Sequence, residues 1–357
     1  MGKSAAFLFS MSVILSLIGI FILYESSTYS ALLSIGDKYY FVKNQAVWFV
    51  LGIILCLIVS KIDYQKYYVL ALPLLMGTLL LLILVFLPGI GLKLKGAHRW
   101  LNLGFIILQP SEILKITLTI YLAAWLSAKE KGRLIAFLML FFLAVLLVAV
   151  EPDLGTAFIV AATSAIVYFL SGAPFRDMIM ITILMSGSIF ALIKVVPYRF
   201  ERLLAFQNFD PNNLQSAPYH IKQILIALGL GGITGLGFGN SIQKYAYLPE
   251  LTTDSIFAIF AEEAGLIGAT ALISCFVALT ITGFYIASGA RDTFGKLLGA
   301  GIISFITVQA FVNLASQVIL IPLTGVPLPF VSYGGSSLII NFIAVGILMN
   351  ISRRNKQ

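Results

Sequence analysis

The stretch YLPELTTDSIFAIFAEEAG, residues 247–265, sets Asp254 at the entrance of an apolar run, with Glu262 and Glu263 two turns further in. An ionised side chain inside a membrane span costs on the order of 2.5–3.5 kcal/mol on insertion scales, so each carboxylate needs a partner or a use. Thr252 or Thr253 can cap the helix that follows, which puts Asp254 in its first turn. The helix dipole favours a carboxylate there even without a function, and it would hold the group ionised. Such a carboxylate is a weak base that can still accept a proton in a transition state, orient a hydroxyl or hold a divalent cation. Glu262 and Glu263 lie ~12 Å deeper at 1.5 Å per helical residue, too far to share its site.

Four further clusters carry chemistry. In GAHRWLNLGFIILQPSEILK, residues 96–115, Gly96 to Gly104 read as a loop and Pro110-Ser111 as a helix start. Glu112 and Lys115 are three apart on one face and can pair. Either they form a structural ion pair or they line a polar cavity. Arg99 precedes Trp100, which reads equally as an interfacial anchor or a platform for a sugar. In EPDLGT, residues 151–156, Asp153 reads as a cap. Arg199 and Arg202, one helical turn apart, present a double positive charge. Lys244 follows a glycine-rich stretch, GLGGITGLGFGN, whose glycines let the backbone approach a helix or a phosphate closely. It follows an apolar helix rather than a strand, which argues against a dinucleotide fold. In TGVPLPFVSYGGSS, residues 324–337, Ser336 and Ser337 open a helix, either as caps or as an anion site.

The elements that must position these residues follow from composition. The 357 residues are 60% hydrophobic and 11% charged, against about 25% charged in soluble domains. Runs of ~20 apolar residues, each able to cross ~30 Å of hydrocarbon, recur throughout. Ten spans are expected, near 5–24, 45–60, 68–87, 106–127, 134–150, 156–171, 178–196, 255–285, 297–320 and 337–352. The expected fold class is therefore an all-α polytopic membrane protein of ten transmembrane helices. Residues 1–357 read as one integral-membrane domain, with one long extracytoplasmic loop, about 197–254, between helices 7 and 8. Lys3 has no small-residue cleavage site after its apolar run, so the first helix reads as retained. Cys56 and Cys275 fall in apolar runs as packing residues, and the separated His98 and His220 make no histidine metal site.

The connections KIDYQK, AKEKGR, APFRDM and ARDTFGK, the tail SRRNKQ and Lys3 hold 12 of the 23 lysines and arginines. All fall on one side, which the positive-inside bias makes cytoplasmic, with both termini there. Lys38, Lys43, Lys93, Lys95, Arg99, Lys194, Arg199, Arg202, Lys222 and Lys244 then lie outside, against that bias, and Lys115 near the outer end of span four. An anionic substrate or anionic lipid headgroups would explain them.

GAHRWLNLG…QPSEILK, EPDLGTAF, GLGFGNSIQKYAYLPELTTDSIFAIFAEEAG and GVPLPFVSYGGSS, in this order over nearly the whole chain, resemble the SEDS proteins of bacterial shape, elongation, division and sporulation. GNSIQKYAYLPE resembles the division members more than the elongation members, with the sporulation members close. The resemblance implies a peptidoglycan glycosyltransferase of the bacterial cytoplasmic membrane. It would polymerise lipid II, an undecaprenyl-pyrophosphate disaccharide-pentapeptide, at the outer face during cell division. The implied partners are a class B penicillin-binding protein transpeptidase and other divisome or elongasome membrane proteins; no nucleic acid is implied. The family's catalytic aspartate falls on Asp254, its Arg-Trp pair on Arg99 and Trp100, and its QPSE-x-x-K on Glu112 and Lys115. Two positions depart from the family: Thr252 stands where His is usual, and His220 where Gln is common.

On this reading Asp254 activates the acceptor 4-hydroxyl, which attacks with inversion. Arg99, Lys115, Arg199, Arg202 and Lys244 neutralise the departing diphosphate. No cofactor is required beyond an optional divalent cation, Mg or Mn, near Asp254. Elongation-type or sporulation-type polymerisation, a lipid II flippase and a noncatalytic scaffold are the rival readings.

Overall fold

The computed structural model describes residues 2–94, 97–102, 104, 107–128, 132–195, 200, 204, 206, 218–245 and 248–354. Among them are eleven helices: α1 (Lys3–Ile35), α2 (Tyr40–Val59), α3 (Gln65–Leu84), α4 (Pro110–Ser127), α5 (Leu134–Val150), α6 (Leu154–Leu170), α7 (Phe175–Val195), α8 (Tyr219–Gly231), α9 (Ile256–Ser288), α10 (Thr293–Gln317) and α11 (Gly335–Arg354). Ten of them overlie the ten expected ranges, and α8 lies within the long segment before α9. Six, namely α1, α2, α3, α9, α10 and α11, are long and apolar enough to cross a membrane. Two shorter ones, α5 and α6, are also apolar. The chain is a polytopic helical membrane protein.

The helices differ in what their apolar surfaces meet. The most apolar stretch of α10 is 78% buried inside the protein, whereas that of α2 is only 17% buried. Apolar residues without a protein partner need another apolar medium, so α2 and α3 read as lipid-facing and α10 as the centre of the bundle. Helix α10 packs against α4, α6 and α9, and α11 against α1 and α2.

Four expectations need correction. The fold is not purely helical: β1 (Gly91–Leu94), β2 (Ala97–Asn102) and β3 (Ile107–Leu108) form a small antiparallel sheet in that order. Trp100 lies opposite Leu92 and Leu101 opposite Leu108, with an irregularity between Leu92 and Lys93. The expected loop 96–104 therefore contains a strand, because its backbone pairs with neighbouring segments rather than with itself. The fourth span begins at Pro110 and not 106. Proline lacks the N–H that an interior helical turn needs but suits the first helical position. The first helix passes residue 24 and ends at Gly36, in the left-handed conformation (φ 83°), which places Glu25 inside it.

The fourth correction concerns α9, expected as a single span over 255–285. It breaks at Gly265 (φ 64°, ψ −167°). The glycine-rich segment after α8 fills the break with its own backbone. Leu236 N donates to Glu262 O and Gly237 N to Glu263 O, both at 3.0 Å. Leu266 N donates to Gly232 O at 3.0 Å and Ile267 N to Ile233 O at 3.2 Å. The groups released by the break are thus satisfied. A Cβ on Gly265 would sit 2.3 Å from Gly235 N and 2.6 Å from Ile233 O, so only glycine allows this approach.

Gly265→Ala is expected to cost on the order of 1–3 kcal/mol in backbone strain alone, with the clash added to it. Gly229→Ala, in a helix with open space around it, should be neutral or slightly stabilising. Thermal unfolding of the two variants in detergent checks the contrast.

Candidate active site

Asp254 does not lie in the first turn of α9. Ile256 opens that helix and Ser255 is its N-cap, so Asp254 belongs to the preceding turn. Neither threonine caps the helix: Thr253 Oγ1 donates to Glu250 Oε2 at 3.1 Å. The turn is held by its carbonyls. Thr252 O accepts from Tyr333 N at 2.9 Å, and Thr253 O accepts from Ser332 Oγ at 2.6 Å. Asp254 O accepts from Asn313 Nδ2 at 3.0 Å. Three consecutive peptide groups are thereby fixed from outside, by the segment before α11 and by α10.

That segment is secured in turn by α10. Asn313 Nδ2 also donates to Val326 O at 2.7 Å, and Gln309 Nε2 to Pro327 O at 2.9 Å. Ser332 Oγ accepts from Leu328 N at 2.8 Å, and Gln45 Nε2 of α2 donates to Ser332 O at 3.1 Å. Gly325 (φ 72°) passes close to Asp254: a Cβ there would lie 3.4 Å from Asp254 Oδ2. Two non-glycine residues beside the site, Glu250 (φ 52°) and Phe330 (φ 65°), sit in the left-handed region. Such backbone persists only where the surroundings enforce it.

Asp254 lines a pocket of about 60 Å³ together with His220, Glu250, Ser316, Gln317, Leu323, Thr324 and Gly325. His220 Nε2 lies 2.9 Å from Ser255 Oγ, which brings α8 to the start of α9. The sequence marks His220 as a departure from the family and as one of two separated histidines, and the reading of it missed the row Gln309, Asn313 and Gln317. All three are almost fully buried. The signal was present: QAFVNLASQ carries carboxamides at four-residue spacing, one face of a helix, inside an apolar span.

Apart from Ser336 and Ser337, the other predicted residues that are described fall in three separate places. Lys115 Nζ lies 2.8 Å from Glu112 Oε2, both side chains buried, and donates to Gln309 Oε1 at 2.5 Å. The packing of Lys115 against Leu118, Thr119, Val160, Thr163 and Ser164 leaves no room for a water, so what the structure shows at Lys115 is the ion pair. Arg99 reaches from β2 to the 151–153 turn. Its Nε donates to Glu151 O at 3.0 Å, a terminal nitrogen donates to Pro152 O, and another lies 3.9 Å from Asp153 Oδ2. Asp153 caps α6 as expected, accepting from Thr156 N at 3.0 Å. Trp100 is partly buried on the same strand. Ser336 Oγ accepts from Gln109 N at 3.2 Å and donates to Ile107 O at 3.3 Å, tying α11 to the start of α4. The buried Ser337 accepts from Asn341 Nδ2 at 3.4 Å.

Lys244 occupies the third place. Its ammonium donates to Gly239 O at 2.6 Å and lies 3.3 Å from Glu25 Oε2 and 3.5 Å from Glu263 Oε1. Glu262 accepts from Ser241 Oγ at 2.5 Å and from Ile242 N at 3.0 Å. The deep glutamates therefore hold the 241–244 segment, apart from Asp254. Arg99, Lys115 and Lys244 were expected to face Asp254, yet none of them lines its pocket. Each is drawn to carboxylates or carbonyls of its own neighbourhood, because a buried charge needs close compensation. Arg199 and Arg202 lie outside the described residues.

Glu151 is fully buried, and among the described residues neither carboxylate oxygen has a hydrogen-bond partner. Burial pushes its pKa from 4.5 up to about 8; Asp153 nearby adds to the rise and Arg99 opposes it. The folded state then keeps a proton that the unfolded chain releases above 4.5. Stability is expected to fall as pH rises from about 4.5 to about 8 and to level off above. Glu151→Gln should flatten that slope in unfolding measurements across this window. Separately, Glu112→Gln or Lys115→Met alone leaves one buried charge uncompensated and should cost ~3–5 kcal/mol. The double variant, with both charges gone, should recover much of it when unfolding is followed in detergent.

The sequence profile of the FtsW/RodA/SpoVE family, described as cell cycle protein, matches residues 5–357. The probable peptidoglycan glycosyltransferase FtsW of Geobacter metallireducens is 38% identical over 354 residues, covering 97% of this chain and 94% of that one. Stage V sporulation protein E of Bacillus subtilis is 35% identical over 352 residues, covering 97% and 96%. Among solved structures, the rod shape determining protein RodA of Thermus thermophilus superposes with a TM-score of 0.72 at 26% identity, covering 98% and 97%. A chain from a peptidoglycan synthase complex, studied for its coordination of polymerization and crosslinking, reaches 0.78 at 25% identity, covering 98% of each. With a profile spanning almost every residue and relatives matched end to end, this chain belongs to the FtsW/RodA/SpoVE family.

Proposed function

We propose that this chain is a peptidoglycan glycosyltransferase that polymerises lipid II at the outer face of the cytoplasmic membrane during cell division, with Asp254 as its general base. The observation that carries the reading is the pocket at Asp254, whose carboxylate stands on a backbone fixed at three successive carbonyls. The names of the FtsW relatives support the reaction class.

The two ends of the bundle support the orientation. At one end Arg354 lies 2.7 Å from Asp63, and Tyr64 OH donates to Asp292 at 2.6 Å. The tail and two of the basic connections thus meet there, the end assigned to the cytoplasm with both termini. The Asp254 turn, the 151–153 turn and the segment before α11 gather elsewhere, at the end assigned to the outside. Ten helices would then cross the membrane, with segment 197–254 outside as the catalytic loop of one domain.

In the reaction, Asp254 accepts the proton of the acceptor 4-hydroxyl as that oxygen attacks C1 of the donor sugar. The C1–oxygen bond to the polyprenyl diphosphate breaks with its electron pair leaving on the diphosphate. Attack from the opposite face converts an α-linked donor into a β-linked product. Arg199 and Arg202 are assigned to the departing diphosphate, since Arg99, Lys115 and Lys244 are engaged elsewhere. Glu250 and Asp254 offer oxygen donors to one pocket, a set that suits Mg or Mn, which bind through one or two carboxylates and keep their waters. There the cation would add neutralising charge for the diphosphate. The crosslinking named for a structural neighbour's complex supports a transpeptidase partner, which the family resemblance takes to be a class B penicillin-binding protein.

Purified protein with its partner and lipid II should form glycan chains. Asp254→Asn should slow the reaction by at least ~100-fold with an unchanged unfolding temperature. Runs with and without Mg or Mn read the cation's contribution. Normal chain formation by the Asp254 variant would refute the assignment.

A further inference from the structure

Helix α10 ends against the pocket of Asp254, which Ser316, Gln317 and the nearby Thr324 help to line. Gln317 is 1% exposed, and its Oε1 has no hydrogen-bond partner among the described residues; nor has the sealed hydroxyl of Thr324. Buried polar atoms are nearly always satisfied, so two orphans in one pocket point to something that completes them. Leu323 adds an apolar wall beside them.

The pocket's volume of about 60 Å³ narrows the choice. A water needs only ~10–15 Å³ of such space, so the pocket has room for a substituent of several heavy atoms. A secondary amide fits the lining by type. Its N–H can donate to Gln317 Oε1, its carbonyl can accept from the Thr324 hydroxyl, and a methyl can rest on Leu323. In an N-acetylated amino sugar the 2-acetamido and 4-hydroxyl groups are separated by a single ring carbon between C2 and C4. One ring at the pocket mouth can therefore present the first to Gln317 and Thr324 and the second to Asp254.

We propose that Gln317 and Thr324 form the subsite for the acetamido group of the acceptor sugar and thereby set its 4-hydroxyl against Asp254. This rests on the glycosyltransferase reading above. The two residues bind substrate, so they act on acceptor recognition rather than on the proton transfer.

The test is single-turnover coupling of a lipid II donor to a lipid-linked acceptor. The terminal amino sugar of the acceptor carries either its acetamido group or a hydroxyl at C2. Wild type should prefer the acetamido acceptor by about tenfold or more, as two hydrogen bonds allow. Gln317→Ala and Thr324→Val should each cut coupling to that acceptor ~3–10-fold, mainly through KM, and shrink the preference. Thr324→Ser, which keeps the hydroxyl, should restore it. A wild type that couples both acceptors equally, or variants that keep the full preference, would overturn the subsite alone. A wild type that forms no glycan from the natural pair would overturn the parent reading and this inference with it.

Discussion

Three neighbouring carbonyls, those of Thr252, Thr253 and Asp254, each accept a hydrogen bond from a different group: Tyr333 N, Ser332 Oγ and Asn313 Nδ2. A turn at the mouth of a helix would ordinarily leave these groups to water. Here they are used to hold the turn, so the Asp254 side chain starts from a fixed backbone. On the proposed reading, a carboxylate so positioned would need little reorganisation when an acceptor hydroxyl arrives. The segment from Thr324 to Tyr333 is held on its other side by Gln309 and Gln45, so α2, α10 and the start of α9 form one support.

A second constraint acts deeper. Breaking α9 at Gly265 releases backbone groups that an apolar interior cannot leave unpaired. The glycine-rich segment meets them strand-like, at a backbone distance that side chains would forbid. Its continuation then lies over Glu262 and Glu263, whose carboxylates accept from Ser241 and Ile242 and face Lys244. Charges that look costly in the linear sequence are compensated by the very segment that the break admits. Glu25 on α1 completes the cluster and ties the first helix to the ninth.

The basic residues divide accordingly. Arg99 holds the 151–153 turn, and that turn packs on the Asp254 support: a Cβ on Gly155 would overlap Val326 and Thr324. Lys115 joins α4 to Gln309, which in turn holds Pro327 O. Both cations therefore touch the site through the elements that carry it.

Several features were legible in the sequence for direct physical reasons. Apolar runs marked ten of the eleven described helices, six of them long and apolar enough to cross a membrane, since a lipid interior permits few other structures. The Glu112–Lys115 pair followed from helical spacing, the Asp153 cap from its position before a helix, and the family from motifs in fixed order. The tertiary structure alone decided the rest. Local rules put Asp254 in a helical first turn, but contacts from 59 and 79 residues away moved it before the N-cap. The same rules left Lys244 facing a substrate and Gln309, Asn313 and Gln317 unremarked. Pairing between distant buried polar groups depends on which helix faces meet, and one chain's sequence does not state that meeting.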